Sequence, residues 1–226
     1  MEESYRKDLS HITWDEVFAR QVRRAGLVEE WMEALHLQPG ARVLDIGTGP
    51  GYVSLVLAGR VGPGGLVYAV DRSADALAYL ARLQHERGVA QIQRVVADAT
   101  TLDPGTLHPD SALVTMVLHH TDDPPGIFRS VARLLPSSAL AVVAEFHPEG
   151  PCEQGPPQQV RVTPEQVRVW CEAAGFGVLT YRRQTPEHYM WIVKRRRDEA
   201  ECARSTLGDA GADDAAPAAL PDEPQP

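Results

Sequence analysis

Residues 42–55, RVLDIGTGPGYVSL, constrain this chain more than any other stretch. Residues 42–46 read as a short apolar strand. Gly47, Gly49 and Gly51 follow, alternating with Thr48 and Pro50. After Pro50 the period changes, and Val53, Val56 and Leu57 fall at helical spacing. The stretch is therefore strand, glycine loop, helix. Glycines give such a loop access to positive φ and let a ligand approach the main chain. Pro50 suits the first turn of the helix, where no amide donor is required. The unsatisfied N–H groups of that helix are expected to face whatever occupies the loop.

Two ligand classes compete for such a loop. A dinucleotide site uses G-x-G-x-x-G, which seats a pyrophosphate on the helix N-terminus. Here the spacing is G-x-G-x-G, and Asp45 comes just before it. A carboxylate beneath the loop repels a pyrophosphate and attracts a cation. S-adenosylmethionine carries a sulfonium and an α-ammonium and no phosphate. The string VLDIGTGPGYVS resembles motif I of the class I S-adenosylmethionine-dependent methyltransferases.

Composition narrows the class. At 226 residues, with 43% hydrophobic and 23% charged residues, the chain suits one globular domain with an appendage. No apolar run is long enough to span a bilayer, and the N-terminus has no signal-peptide pattern. Cys152, Cys171 and Cys202 form no C-x-x-C pair, so a free-thiol, cytoplasmic protein is expected. The net charge of −9 is unevenly spread. From Asp198 onward there are eight acids and one base, a net −7, which leaves −2 for residues 1–197. That near-neutral body lacks the basic face of a nucleic-acid binder. The one basic cluster, residues 194–197, reads as a solvated strand end.

Taken in order, Thr13 and Glu16 fit a capping box that opens a helix running to Ala25 and stopping at Gly26. A second helix is expected over residues 27–37, with Leu27, Trp31 and Leu35 on one face. The pair could close over the glycine loop as a lid, offering Tyr5, Trp14 and Phe18 to a ligand, or simply pack on the sheet edge. A second strand, residues 66–70, ends at Asp71, 20 residues past Gly51, where a βαβ nucleotide unit places a ribose-binding acid. Ser73 caps a helix over 74–87, closed by Gly88. A third strand, 92–97, ends at Asp98.

Three acids thus close three successive strands. Residues 112–118 are an unbroken apolar strand of the central parallel kind, followed by His119 and His120. This resembles the motif IV region of the same family, with a helix expected over 127–135. A fifth strand, 139–144, runs into Glu145, Phe146 and His147. The family usually has Pro-Gly-Gly before that strand, and here Pro136-Ser137-Ser138 stands in its place. Thr163, Pro164 and Gln166 open another helix, which Gly175 closes. Residues 176–181 and 189–193 are spaced to pair as an antiparallel hairpin. Residues 198–226 have too little apolar content to offset the entropy of ordering, and are expected to be disordered.

The resemblance covers roughly residues 14–195. It implies a Rossmann-like α/β three-layer sandwich, with seven mostly parallel strands and a C-terminal antiparallel hairpin. The domain reading is a helical lid over 1–38, a cofactor-binding core over 39–197 and the acidic tail. Carried over residue by residue, the resemblance places Asp45, Gly47, Thr48, Gly49 and Gly51 at the methionine portion of S-adenosylmethionine. It places Asp71 at the ribose, and Arg72, Asp98 and Ala99 at the adenine. Leu118 and His119 fall near the sulfonium. His120 and His147 are the candidate bases, since histidine titrates near neutral pH. A metal held by His120, His147 and His188 with Glu145 or Glu149 is the weaker alternative, for lack of tight ligand spacing.

The expected function is methyl transfer to a small-molecule acceptor, with no nucleic-acid partner and with monomer or homodimer left open. Two alternatives stay beside it. One is an NAD-dependent oxidoreductase on a related fold, and the other a non-catalytic S-adenosylmethionine-binding regulator.

Overall fold

A computed structural model describes residue 9, residues 11–151, residue 153 and residues 155–197. The expected disordered tail over 198–226 and the aromatic Tyr5 lie outside the described residues. Seven strands form one sheet in the order β3-β2-β1-β4-β5-β7-β6. They are β1 (Arg42–Ile46), β2 (Leu66–Asp71), β3 (Ile92–Val96), β4 (Ser111–Thr115), β5 (Leu140–Phe146), β6 (Phe176–Arg183) and β7 (His188–Arg195). Strands β1 to β5 pair in parallel, and β7 lies antiparallel between β5 and β6. The helices are α1 (Trp14–Val22), α2 (Ala25–Ala34), α3 (Tyr52–Val61), α4 (Ala74–Arg87), α5 (Pro124–Leu134) and α6 (Pro164–Ala173).

The alternation of strand side chains divides the core into two layers. Leu44, Ile46, Val114 and Val143 pack with Phe128 of α5 and Val167 of α6. Val43, Leu113 and Val142 pack on the opposite face with Trp31 of α2, Leu57 of α3 and Leu80 of α4. Strand order reverses at β1, flanked by β2 and β4, so the switch point lies where β1 ends in the glycine loop. Ligands of open α/β sheets bind beyond the strand ends at such a point.

Several boundaries differ from the expected ones. The break between the first two helices falls at Arg23 and Arg24. There the Arg23 N–H still bonds the Ala19 carbonyl and the Arg24 N–H bonds that of Gln21. Gly26 therefore sits inside the first turn of α2 rather than ending α1. Gly51, not Pro50, is the N-cap of α3, and Pro50 stays in the loop. Strand β4 ends at Thr115, because Met116 turns into the left-handed region at φ 54° and a short 3-10 turn, Leu118–His120, follows. Ser138 takes φ 70° in the turn where relatives carry glycine, so the departure there is absorbed as a left-handed serine. The capping boxes at Thr13 and Thr163 form as expected.

Candidate active site

Asp45 faces α3, as the period of β1 dictates, and is buried. Its Oδ2 accepts a 2.6 Å hydrogen bond from Ser54 Oγ, which is itself 2.8 Å from Thr48 Oγ1. Burial pushes the Asp45 pKa up to about 6, against the pull of these hydroxyls and with help from nearby Asp71. A buried carboxyl held by hydroxyls alone is a site suited to an incoming cation.

The glycine loop is anchored from both sides. The N–H groups of Gly47 and Thr48 donate to the Val70 carbonyl, at 2.9 and 3.1 Å. Gly49 N–H donates to Asp71 Oδ2 and Ser73 N–H to Asp71 Oδ1, each at 2.8 Å. Burial raises the Asp71 pKa against the opposing effect of these amides. Gly51 caps α3 at φ 89°, where a side chain would collide with Leu80. Gly47, at φ 71°, lies against Val117 in the same way. From α1, Gln21 Nε2 donates to the Thr48 carbonyl at 2.9 Å, and its Oε1 accepts from Tyr52 N–H at 3.1 Å. That last bond is a correction: the first amide of α3 is already paired with Gln21 rather than left for a ligand.

Asp98 Oδ1 accepts from the N–H and the hydroxyl of Thr100, both at 2.8 Å. These bonds hold its pKa below the ordinary value, with Arg72 adding to the effect. Asp71, Arg72, Asp98 and Ala99 line one side of a cleft of about 880 Å³ that begins at Gly47 and Gly49. That volume suits a ligand of nucleoside size with room for a second molecule. Trp14, Arg24, Val117, His119, His120 and Phe146 line the cleft as well. A recess lined by Asp45, Thr48, Gln21 and Arg24 adjoins the cleft at Gly47, Thr115 and Met116.

At the β5 end, Glu145 is fully buried. Its Oε1 accepts from Leu118 N–H at 2.7 Å, and its Oε2 from Phe146 N–H at 3.2 Å. Oε2 also lies 2.8 Å from His119 Nδ1. Burial pushes this carboxyl up, but His119 and the two amides together hold its pKa below the usual range. His119 stacks on His120 at 4.1 Å between ring centres.

Not every expected residue reaches the cleft. Gly51 is buried under Leu80. The Leu118 side chain joins the hydrophobic core, and Val117 takes the cleft wall, because the left-handed Met116 rotates the chain by one position. His147 is also corrected. Its Nδ1 accepts from Glu149 N–H at 3.2 Å, and its ring meets Tyr189 edge-on instead of lining the cleft. Burial, then Arg183, lowers its pKa. Of the described candidate lid aromatics, Trp14 lines the cleft, whereas Phe18 packs on Tyr52 and Tyr79. Among the described residues no group of three His, Cys, Asp or Glu side chains is arranged to hold a metal ion. Nor is any helix among them long and apolar enough to cross a membrane.

A family described as "Methyltransferase domain" matches residues 18–181. The chain belongs to that family. A solved S-adenosylmethionine-dependent methyltransferase from Aquifex aeolicus superposes with a TM-score of 0.72 at 19% identity, over 81% of this chain and 98% of that one. A Burkholderia thailandensis 1,6-didemethyltoxoflavin-N1-methyltransferase, solved with S-adenosylhomocysteine, gives 0.63 at 20% identity, over 81% and 82%. At these identities the likeness is one of fold. Among curated proteins, a protein-L-isoaspartate O-methyltransferase of Aeropyrum pernix is 41% identical over 31% of this chain and 27% of its own length. A 2-phytyl-1,4-naphtoquinone methyltransferase of Trichormus variabilis is 33% identical over 49% and 48%. This methyltransferase thus spans between about a quarter and a half of these two curated relatives.

Sequence reasoning missed Gln21 and Arg24, which sit in the site only because α1 and α2 pack there. Glu145 was considered only as a metal ligand, although an acid ending the apolar run AVVAEF was a visible signal.

Proposed function

We propose that this chain transfers the methyl group of S-adenosylmethionine to a small-molecule acceptor. The observation that carries the reading is the row of Asp45, Asp71 and Asp98 at the ends of β1, β2 and β3, along one cleft and its adjoining recess. The residues fit the cofactor. Asp45, buried beside two hydroxyls, suits the α-ammonium, with Thr48 and the Gly47–Gly49 backbone around the methionine chain. Asp71, bonded by the amides of Gly49, Arg72 and Ser73, retains a free lone pair and suits the ribose hydroxyls. Asp98, Arg72 and Ala99 suit the adenine. The bound cofactor supplies an activated methyl group. The protein's part is to hold donor and acceptor in line, an orientation effect worth up to about 7–11 kcal/mol in favourable cases.

His119 is positioned by Glu145 and shapes the wall between the two ligands. His120 lines the cleft and is the histidine placed to accept a proton from the acceptor. His147 drops out of that role. The paired helices α1 and α2 act as a lid, a reading supported by Trp14 and Arg24 on the cleft wall and by the Gln21 clamp on the loop.

Calorimetric titration with S-adenosylmethionine, S-adenosylhomocysteine and NAD tests the reading. Micromolar binding of both adenosyl compounds and none of NAD is expected. Binding of NAD alone overturns it.

A further inference from the structure

The cofactor reading leaves several charged groups of the cleft unused, Arg20, Arg23, Arg24 and Glu153 among them. Arg24, just ahead of α2, lines the cleft and the recess, and its guanidinium carbon lies 5.7 Å from the centre of the Phe146 ring. It forms no ion pair among the described residues. The carboxylate whose field it feels, Glu145, already serves His119 and two backbone amides. Burial pushes the Arg24 pKa down to about 10; Glu145 opposes that fall, and Arg23 and Arg20 add to it. Arg24 is half-buried, and a guanidinium partly withdrawn from water with no carboxylate partner gains from an anionic ligand.

Its position favours one end of the cleft. The charges coupled to Arg24 include Glu145 on β5 and His188 on β7. Asp71 and Asp98 follow β2 and β3, on the other side of β1 in the sheet. At the β5 end burial, then Arg24 and Arg161, lower the His188 pKa to about 4, with Glu145 opposing them. The apolar surface against the guanidinium is the Phe146 ring, and the cleft wall elsewhere carries Trp14, Val117 and Ile127.

We propose that Arg24 is an anion subsite for the methyl acceptor, and that the acceptor is a small, largely apolar molecule bearing a carboxylate or comparable oxyanion. The proposal rests on the methyl-transfer reading above and narrows its substrate class. Arg24 is thereby a specificity-determining residue, matched to planar oxyanions by its forked donors. Its side chain makes no cap bond to α2, so replacing it removes no helix cap.

Benzoate and benzamide, alike in shape and different in charge, are the probes. Each is titrated into protein saturated with S-adenosylhomocysteine. Benzoate is expected to bind about tenfold more tightly than benzamide, the scale of one charge-assisted contact. Arg24→Met is expected to abolish that difference, and Arg24→Lys to keep part of it. Equal binding of the two probes, no benzoate binding by the wild type, or an undiminished preference in Arg24→Met overturns the proposal. A parallel arm asks whether the oxyanion is the cofactor's own. S-adenosylmethionine and its decarboxylated form are titrated into wild type and Arg24→Met. An unchanged ratio of the two affinities is expected. If Arg24→Met erases a wild-type preference for the carboxylated form, Arg24 serves the cofactor and the proposal fails. Failure of the wild type to bind S-adenosylhomocysteine at all sinks the methyl-transfer reading itself, a distinct result.

Discussion

The two halves of the cleft use carboxylates in opposite ways. In the half formed by β1, β2 and β3, Asp45, Asp71 and Asp98 are tied to hydroxyls and loop amides. Burial raises the pKa of Asp45 and Asp71, whereas the exposed Asp98 is held low by Thr100. In the half formed by β4, β5 and the N-terminal helices, Glu145 is saturated by two amides and His119, and its pKa is lowered. Among the described residues Arg24 there has no carboxylate partner, and Arg20 and Arg23 line the cleft beside it. One half is poised to receive a cationic, hydroxyl-rich ligand, whereas the other spends its carboxylate on its own architecture. A buried carboxylate is thus a binding group only where the fold leaves it short of partners.

Removing Glu145 is the harshest test of that contrast. Glu145→Ala strands the Leu118 and Phe146 amides and the His119 ring in a buried site. A loss of about 3 kcal/mol is expected, since unsatisfied buried groups cost about 1–3 kcal/mol each. Urea denaturation measures it. Cofactor affinity at a temperature where the variant is folded is expected to stay within about threefold of wild type, a small free-energy change. A tenfold loss of affinity with little loss of stability would erase the distinction between the halves.

Asp71 is expected to behave the other way. Asp71→Ala removes the acceptor for Gly49 N–H and Ser73 N–H together with the proposed ribose contact. Charge-assisted bonds contribute about 1.5–3 kcal/mol each, so a loss of at least about tenfold in S-adenosylmethionine affinity is expected by calorimetry. Unchanged affinity would remove Asp71 from the site.

Asp45 allows a pH test. Its pKa stands raised, at about 6, in the ligand-free fold. For stability the sign is that of a group protonated more readily when folded. Its contribution is fully present below the ordinary carboxylate pKa and is lost as pH rises through about 6. For binding the sign reverses, because a bound ammonium favours the ionised form. Affinity is expected to fall about tenfold between pH 7 and pH 5. Asp45→Asn is expected to bind weakly at both values. Calorimetry in two buffers of different ionisation enthalpy counts the released proton. A flat profile in the wild type would show that Asp45 does not meet the ammonium.

How much of this was legible beforehand follows the same division. Asp45, Asp71 and Asp98 were readable because each directly ends an apolar strand run, and because the glycine spacing fixes the loop between them. Sheet order and hairpin pairing followed from the run of elements and the family resemblance. Gln21 and Arg24 were not readable, since they reach the cleft only through packing of the N-terminal helices, far in the chain from the strand ends. His147 and Leu118 failed for a local reason. Both sit one residue from a true cleft position, and the left-handed turn at Met116 and the exit of β5 set which neighbour faces the ligand.

The mildest perturbation falls on a contact between α1 and the glycine loop. Gln21 bridges the lid helix α1 to the cofactor loop through the Thr48 carbonyl and Tyr52 N–H. Gln21→Ala leaves both groups within reach of water, so the cost is that of two modest hydrogen bonds, about 1 kcal/mol apiece at most. If α1 helps to order the loop, S-adenosylmethionine affinity is expected to weaken by roughly threefold to tenfold. Hydrogen exchange at Tyr52 is expected to quicken, because its amide loses its acceptor. Gln21→Glu separates the two bonds. It keeps an acceptor for Tyr52 N–H and sets a carboxylate against the Thr48 carbonyl, so protection at Tyr52 should survive while affinity falls. Equal protection and affinity in all three proteins would mean that α1 merely rests on the loop.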